Sequence, residues 1–597
     1  MTKCKNNLFL VVAIALMLVS MIGASLVQTG GGSVKVTEVS WVGSDGYQRS
    51  GWLLKPKTAT AENAAPAVVT SHGFLNNRGM QDLNFVELSR RGFVVLAIDM
   101  TSHGDSEITP GMAGMMNSVW EGVSFLADIN YVDNTRIGVT GHSFGGFSSN
   151  FSVRSDEANG SRYVAAVLVN SMDPNYDTSY GNRDVGVVAG QYDEFAFNIT
   201  DEKGVAQPKP DFINSKFAQT FLNFGIAPAG TAELKANTVY TKNIDGRDAI
   251  RVIYTHNIIH PWSHFSARST KATIEFFDAS LKAPNPIDSS NQVWQWKVFF
   301  NILGIIGFVM FVVTFTTVLL RLPFFKSVKR TEISGPAPAR GKQWWFWVSL
   351  ALAAAFGTIF YLPIMQATKA ATFAPTFLDQ SAVRGISVWA ACCGLFTILL
   401  MFATKFINKE EQIDLAATGI KISLVNLLKT ILLAITVVIS SYLWVFMADY
   451  LFQVDFRVWV LAINRFNPVY IRIAIPFILI SSVFYIASSI SVNCFNYRKI
   501  AGKEWLNTLI LAVATGLPAL IVTLIQYTHF YRTGFLAYSA NQTHLMIVWL
   551  FPLVAILPIS VIVARKIYKK TGNPYLPGII NAIIVSLISC ANTCTFF

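Results

Sequence analysis

The sequence predicts a chain of two architectures: an α/β unit with a doubly wound, mostly parallel sheet over 29–290, and an all-α, multi-pass membrane unit over 291–597. Three observations carry this reading. Short β-branched runs at 65–70, 93–98, 136–140, 164–169, 185–190 and 250–255 alternate with helix-like segments, as in successive βαβ units. Apolar runs of about 20 residues recur from 298 onward, the length a helix needs to cross a bilayer. Charge is scarce: the 597 residues are 52% hydrophobic and 14% charged, against about 25% charged in soluble domains.

The first element is an apolar run at 8–27 behind Lys3 and Lys5. It is long for a signal-peptide core and long enough to span, so 1–28 reads as a transmembrane signal anchor, with Gly23-Ala24-Ser25 as the alternative, a cleavage site. The α/β unit follows at 29–290. Further apolar runs lie near 298–320, 344–364, 386–404, 430–452, 473–493, 505–527, 545–564 and 575–595, which makes about eight spans after the anchor. Loops expected inside, together with Lys3 and Lys5, hold nineteen Lys and Arg, including Arg321, Arg340, Lys342, Lys409 and Lys570; the short outer loops hold six. That alternation obeys the positive-inside rule and places the N-terminus in the cytoplasm, with residue 29 onward outside a cell membrane.

The formal charge of +12 is not one property of one surface. Residues 297–597 hold 24 Lys and Arg against 8 Asp and Glu, while 29–296 hold 21 against 27. The basic excess therefore belongs to the apolar half and the extreme N-terminus, which argues for a lipid bilayer as partner and against nucleic acid. None of the six cysteines lies in 29–296, so this unit is not a disulfide scaffold and has no Cys/His zinc spacing. The same absence points to a bacterial-type protein, although Asn159-Gly160-Ser161, Asn198-Ile199-Thr200 and Asn541-Gln542-Thr543 match glycosylation acceptors.

The chemistry centres on Gly141-His142-Ser143-Phe144-Gly145-Gly146, which follows the strand-like run 136–140 and precedes a helix-like one. This is G-x-S-x-G in the context it requires: a strand, a tight turn and a helix. Glycines at 141 and 145 let the backbone bend and approach its neighbours, so that the Ser143 hydroxyl stands exposed. The bland alternative is a Gly-rich turn with an idle serine. Upstream, run 65–70 ends in Ser71-His72-Gly73-Phe74, and run 93–98 leads to Ser102-His103-Gly104-Asp105-Ser106. With these turns the stretch 35–285 resembles the α/β-hydrolase superfamily, and 132–146 looks most like the dienelactone hydrolase and prolyl oligopeptidase-type branches.

That resemblance implies a serine hydrolase with the order Ser, acid, His. Ser143 would be the nucleophile and needs a base, because a serine hydroxyl is weak at neutral pH. Asp193, after run 185–190, stands where the resembled family keeps its acid, with Glu194 and Asp173 as alternatives. The loop after 250–255 carries His256, His260 and His264. Trp262-Ser263-His264-Phe265 fits the family pattern best, so His264 is the expected base and His260 the alternative. Three histidines spaced by four suggest a metal-binding helix face, but Pro261 interrupts it and no acidic or Cys ligand accompanies them, so neither metal nor cofactor is expected. The oxyanion hole would use the N–H groups of Phe144 and Phe74. The His103 turn resembles a structural feature of the superfamily and is assigned no catalytic role.

Between 194 and 250 lie residues that a minimal hydrolase sheet does not need, read equally as a lid or a surface excursion. In the bundle, Pro363, Pro476, Pro518, Pro552 and Pro558 exceed what an anchor requires, and kinked helices often line cavities. Asp449 sits near the outer end of its run. The outer loop 455–461 is apolar enough to lie among lipid headgroups, where a substrate would arrive from the bilayer. The expected activity is cleavage of an ester, thioester or amide in a small-molecule, lipid or peptide substrate. The rivals are an acyltransferase using the same acyl-enzyme and a transporter or sensor whose hydrolase-like unit only binds ligand. The acidic outer unit mildly disfavours polyanionic substrates.

Overall fold

A computed structural model describes residues 2–201, 203–227, 233–336, 343–370, 378, 380–407 and 413–595. Arg340, Lys342 and Lys409 of the basic loops lie outside the described residues, as do the side chains of Lys3, Lys5 and Asn541.

Helix α1 (Thr2–Gln28) leads into a nine-stranded sheet. Its strands are β1 (Val34–Val42), β2 (Gln48–Pro56), β3 (Ala65–Ser71), β4 (Val94–Asp99), β5 (Val132–His142), β6 (Val164–Asn170), β7 (Asp184–Tyr192), β8 (Tyr240–Ile244) and β9 (Arg247–Ile259). The spatial order is β1-β2-β4-β3-β5-β6-β7-β9-β8. Strands β4, β3, β5, β6, β7 and β9 are parallel, with antiparallel β1, β2 and β8 at the edges. Covering helices are α2 (Asp82–Arg90), α3 (Ala113–Ala127), α4 (Phe144–Ala158), α5 (Lys216–Leu222) and α6 (Ala267–Leu281).

The strand sequences explain why both faces are covered. Val68, Val95 and Ala97 point to the side packed by α2 and α6, while Ala67, Val69, Leu96 and Ile98 point to the side packed by α3, α4 and α5. This period-2 alternation between two buried faces is what continuous apolar strands of a parallel sheet produce. Strand order reverses at β3, which has β4 on one side and β5 on the other, so a crevice opens at their carboxyl ends. Ser71-His72 and His142-Ser143 both sit there.

The remaining helices are α7 (Trp294–Leu319), α8 (Gln343–Ile359), α9 (Tyr361–Ala370), α10 (Ser381–Ile407), α11 (Leu424–Phe452), α12 (Val469–Ile490), α13 (Glu504–Thr533), α14 (Thr543–Val548), α15 (Phe551–Thr571) and α16 (Tyr575–Ala591). Among the described residues, eight helical segments are long and apolar enough to cross a membrane: α1, α7, α8 with α9, α10, α11, α12, α13, and α14 with α15. The expected last span is shorter, because α16 stops at Ala591 and the chain turns into the α/β unit. There Thr593 bridges to Leu75, and the Thr595 N–H donates to the Ser102 carbonyl at 3.0 Å. Helix α1 packs along α7 through Ala13, Met17 and Met21, all fully buried; a Cβ on Gly307 would meet the Ala13 carbonyl at 2.8 Å.

The basic loops gather at the end of the bundle away from the sheet, where the Arg330 N–H donates to Thr571 O at 2.9 Å and Lys569 pairs with Glu504 at 2.5 Å. The loop expected among headgroups is instead a hairpin of β10 (Phe456–Val458) and β11 (Leu461–Ile463), docked on the α/β unit. Its Val454 and Phe456 are fully buried. The Arg457 guanidinium bonds Asp455 and Asn77 at 2.6 Å and also Asn76. Asp449, near the end of α11, pairs with Arg465 at 2.8 Å, and Arg465 reaches Glu38 and Asp105 of the α/β unit. It is thus part of the ionic seam between the two units.

Candidate active site

Ser143 occupies the turn between β5 and α4 with φ 55° and ψ −118°, a left-handed conformation that a serine adopts only under constraint. The neighbouring glycines supply the constraint. A Cβ on Gly141 would run into the Gly145 backbone, and one on Gly145 into the His72 carbonyl. The tight strand–turn–helix of the sequence reading is present, and it presses Ser143 against the 72–74 loop: a Cβ on Gly73 would lie 3.2 Å from Ser143 Cβ.

Two buried histidines fix that loop. His72 Nε2 accepts the Met100 N–H at 3.1 Å, and its Nδ1 donates to Gly73 O at 2.7 Å. Burial holds His72 well below its ordinary value, which keeps this neutral tautomer. His103 Nε2 donates to Phe74 O at 2.7 Å, so this turn positions one of the two expected oxyanion residues. The other, Phe144, opens α4, where the first N–H groups have no partner within the helix. The Phe74 and Phe144 rings lie 6.4 Å apart and pack against Met100, Met115 and Cys594.

Asp193 follows β7 and is fully buried. One of its oxygens accepts the N–H groups of Phe195 at 2.9 Å and Ala196 at 2.8 Å, and both oxygens lie 2.9 Å from His260 Nδ1. Burial raises this carboxyl, but His260, Lys209 and the backbone donors outweigh burial and hold it below the usual range. With Nδ1–H turned to Asp193, a neutral His260 presents Nε2 as an acceptor. His260 and Ser143 line the same cavity.

The expected base, His264, lines the same cavity but does not reach Asp193: it is buried, its ring sits 4.2 Å from that of His142, and neither ring nitrogen meets a partner among the described residues. Burial first, then the charges of His260 and Arg457, push it down to about 3. The reason is strand register. β9 runs on to Ile259, which pairs with Tyr192, so the next residues, His260 and Asp193, are neighbours at the two strand ends. The alternative acids are engaged elsewhere. Asp173 accepts the Phe197 N–H at 3.1 Å and the Tyr176 hydroxyl at 2.6 Å. Glu194 accepts the His260 N–H at 2.7 Å and the hydroxyl of Tyr527 on α13. Burial raises Glu194 to about 7.

The cavity measures about 180 Å³. Its floor is the Ser143 turn, and its roof is the bundle: Val383 and Ile386 of α10, Leu545 of α14, Leu553 of α15 and Ile588 of α16. Of the 194–250 stretch, only Phe195 reaches the cavity among the described residues, while Phe212, Phe221 and Leu222 pack into the sheet's core. Pro552, one of the bundle prolines expected at a cavity, lines this roof; that the cavity is the one over Ser143 had no local signal, because the roof residues sit in apolar runs more than 200 positions away.

No family model matches the chain. It is 26% identical over 140 residues to the uncharacterized protein YfhR of Escherichia coli O157:H7, covering 24% of this chain and 48% of that one. It is 28% identical over 162 residues to the uncharacterized peptidase YuxL of Bacillus subtilis strain 168, covering 25% and 23%. The chain thus spans less than half the length of these curated relatives. Solved structures similar to it include a bacterial heroin esterase, 14% identical over 43% of this chain and 86% of that one, TM-score 0.29. Another is the Pyrococcus furiosus esterase Pf2001, 14% identical over 42% and 95%, TM-score 0.30.

Proposed function

We propose that this chain is a membrane-embedded serine hydrolase that cleaves an ester, thioester or amide through an acyl-enzyme on Ser143. His260 takes the Ser143 proton through Nε2 and returns it to the leaving group. Asp193 holds the imidazole in that tautomer and stabilises the imidazolium. The N–H groups of Phe144 and Phe74 stabilise the oxyanion, a role in which losing one donor typically costs about 10²–10³ in rate. The observation that carries this reading is the buried Asp193–His260 pair sharing a cavity with a serine held at φ 55°. One relative, YuxL of Bacillus subtilis, similar over 25% of this chain, is named a peptidase, which supports a hydrolase of this type.

The reading places the protein in the cell membrane with its N-terminus cytoplasmic and the α/β unit outside, because the basic loops and the sheet lie at opposite ends of the bundle. The chemistry calls for no metal or cofactor. Membranes carrying the full chain are treated with a fluorophosphonate probe, comparing wild type with Ser143→Ala. Labelling of the wild type alone is expected, with a kcat loss of up to ~10⁶ in the variant. Equal labelling of both, or none of either, refutes the reading.

A further inference from the structure

The cavity over Ser143 does not end at the membrane face of the α/β unit. A narrow space of about 20 Å³ lies beneath it, sharing Val383, Ile386, Leu553 and Ser589 with the cavity above. Beneath that lies a third space of about 90 Å³, sharing Trp389 and Leu557 with the narrow one. Along α10 the three are met in turn at Val383, Trp389 and Thr397, a descent of about 21 Å at 1.5 Å per residue. We infer that the substrate of Ser143 is a long, unbranched acyl group whose chain threads this column between α10, α12, α15 and α16. The inference rests on the serine-hydrolase reading and specifies its substrate class.

The shape and chemistry of the column select such a chain. Val383, Ile386, Leu553 and Leu557 wall the throat beside Trp389 and Tyr485, and its small volume suits an extended hydrocarbon better than a ring. The throat's Ser589 donates to Val585 O at 2.8 Å and its Ser481 bonds Ser387 at 3.3 Å, so these hydroxyls are spent. Of the polar atoms without partners among the described residues, the throat holds Ser586 Oγ, while the upper cavity gathers both ring nitrogens of His264, Asn592 Oδ1 and Trp549 Nε1. The occupant therefore has a hydrogen-bonding end beside Ser143 and an apolar end inside the bundle. Donor lipid and acylated protein share that chemistry, so the acyl chain is the recognised element. Ser143 Oγ attacks the acyl carbonyl, the alcohol, thiol or amine leaves with the proton from His260, and water then releases the fatty acid.

The test uses the full chain in lipid nanodiscs and two fluorophosphonates, one with an ethyl and one with a hexadecyl group, reading the rate at which Ser143 is labelled. Hexadecyl labelling should exceed ethyl labelling by at least ~10-fold in the wild type, from enrichment of the chain in the disc and its fit to the column together, so the change between variants is the decisive reading. Leu553→Trp closes the throat and should bring the hexadecyl-to-ethyl ratio down toward one, whatever it does to the ethyl rate itself. Leu557→Ala widens the passage to the lower space and should raise the hexadecyl rate, giving a second reading of the wall should the bulky variant not fold. Both probes partition equally into discs of every variant, so the ratio to wild type reports the throat alone. Equal rates for the two probes, or hexadecyl rates unchanged in both variants, overturn the inference while the labelled Ser143 leaves the hydrolase reading intact. No labelling by either probe removes both.

Discussion

Glu194 offers a test that separates the site's electrostatics from its catalysis. Its carboxylate is fully enclosed between the His260 N–H and the Tyr527 hydroxyl, and burial raises it from its ordinary 4.5 to about 7. A raised acid binds its proton more tightly in the folded state, so stability falls as pH rises from about 4.5 through 7, and the full cost is present above that window. That shift corresponds to about 3 kcal/mol. Glu194→Gln keeps an acceptor for the His260 N–H and removes the titration. The two proteins should match near pH 4.5, and the variant should be the more stable at pH 8, by several degrees in Tm at roughly 2–4 °C per kcal/mol. Asp193, His260, Lys209 and Tyr527 surround the carboxyl in both proteins, so the difference between their curves isolates Glu194. Thermal unfolding of the full chain in detergent, followed by intrinsic fluorescence from pH 4.5 to 8, reads it. Parallel curves would refute the assignment of the raised carboxyl to this residue.

Three further outcomes follow from the same geometry. His260→Ala should lower kcat at least ~10³-fold, whereas His264→Ala, which leaves the Asp193 contact untouched, should cost less than about tenfold; steady-state kinetics on one ester distinguishes them. Gly145→Ala drives a Cβ into the His72 carbonyl, with Ser71 O at 2.7 Å, and should destabilise the elbow by about 1–3 kcal/mol and abolish fluorophosphonate labelling. Arg457→Ala leaves Asp455 buried without its partner and frees the Asn76–Asn77 loop beside Phe74, so it should cost about 3–5 kcal/mol in denaturant unfolding.

The sheet and the elbow were legible because their signals are local. Alternating apolar runs fix two buried faces, and the Gly141, Gly145 pattern is dictated by contacts a few residues away. The place of Asp193 after a strand could be read. Which histidine meets it could not, because His260 and His264 differ in where β9 ends. That end is set by pairing with β7, through Tyr192 against Ile259, rather than by the residues around it. Loop 455–461 looked like an interfacial segment for the same reason. Its Phe456 is buried among the bundle helices while its Arg457 reaches Asn76 and Asn77 of the α/β unit, partners that no hydropathy window contains.

An anchor needs one helix, and the contacts argue that this bundle is more than an anchor. Both loops that face Ser143 are held from the membrane side. The His260 loop is gripped by Tyr527 through Glu194 and by Trp459, whose Nε1–H donates to Pro261 O at 2.5 Å. The loop after Phe74 is gripped by Arg457 and by Asn592, whose carbonyl accepts the Asn76 N–H at 2.8 Å. Helices α10, α15 and α16 roof the cavity and line the space beneath it. A displacement of α13 or α16 would therefore move the histidine and the oxyanion loop before it moved the sheet, whose own strands hold Ser143 and Asp193. The bundle is in this sense a wall of the proposed active site, which is why the most apolar part of the sequence and the Ser143 turn meet at one surface.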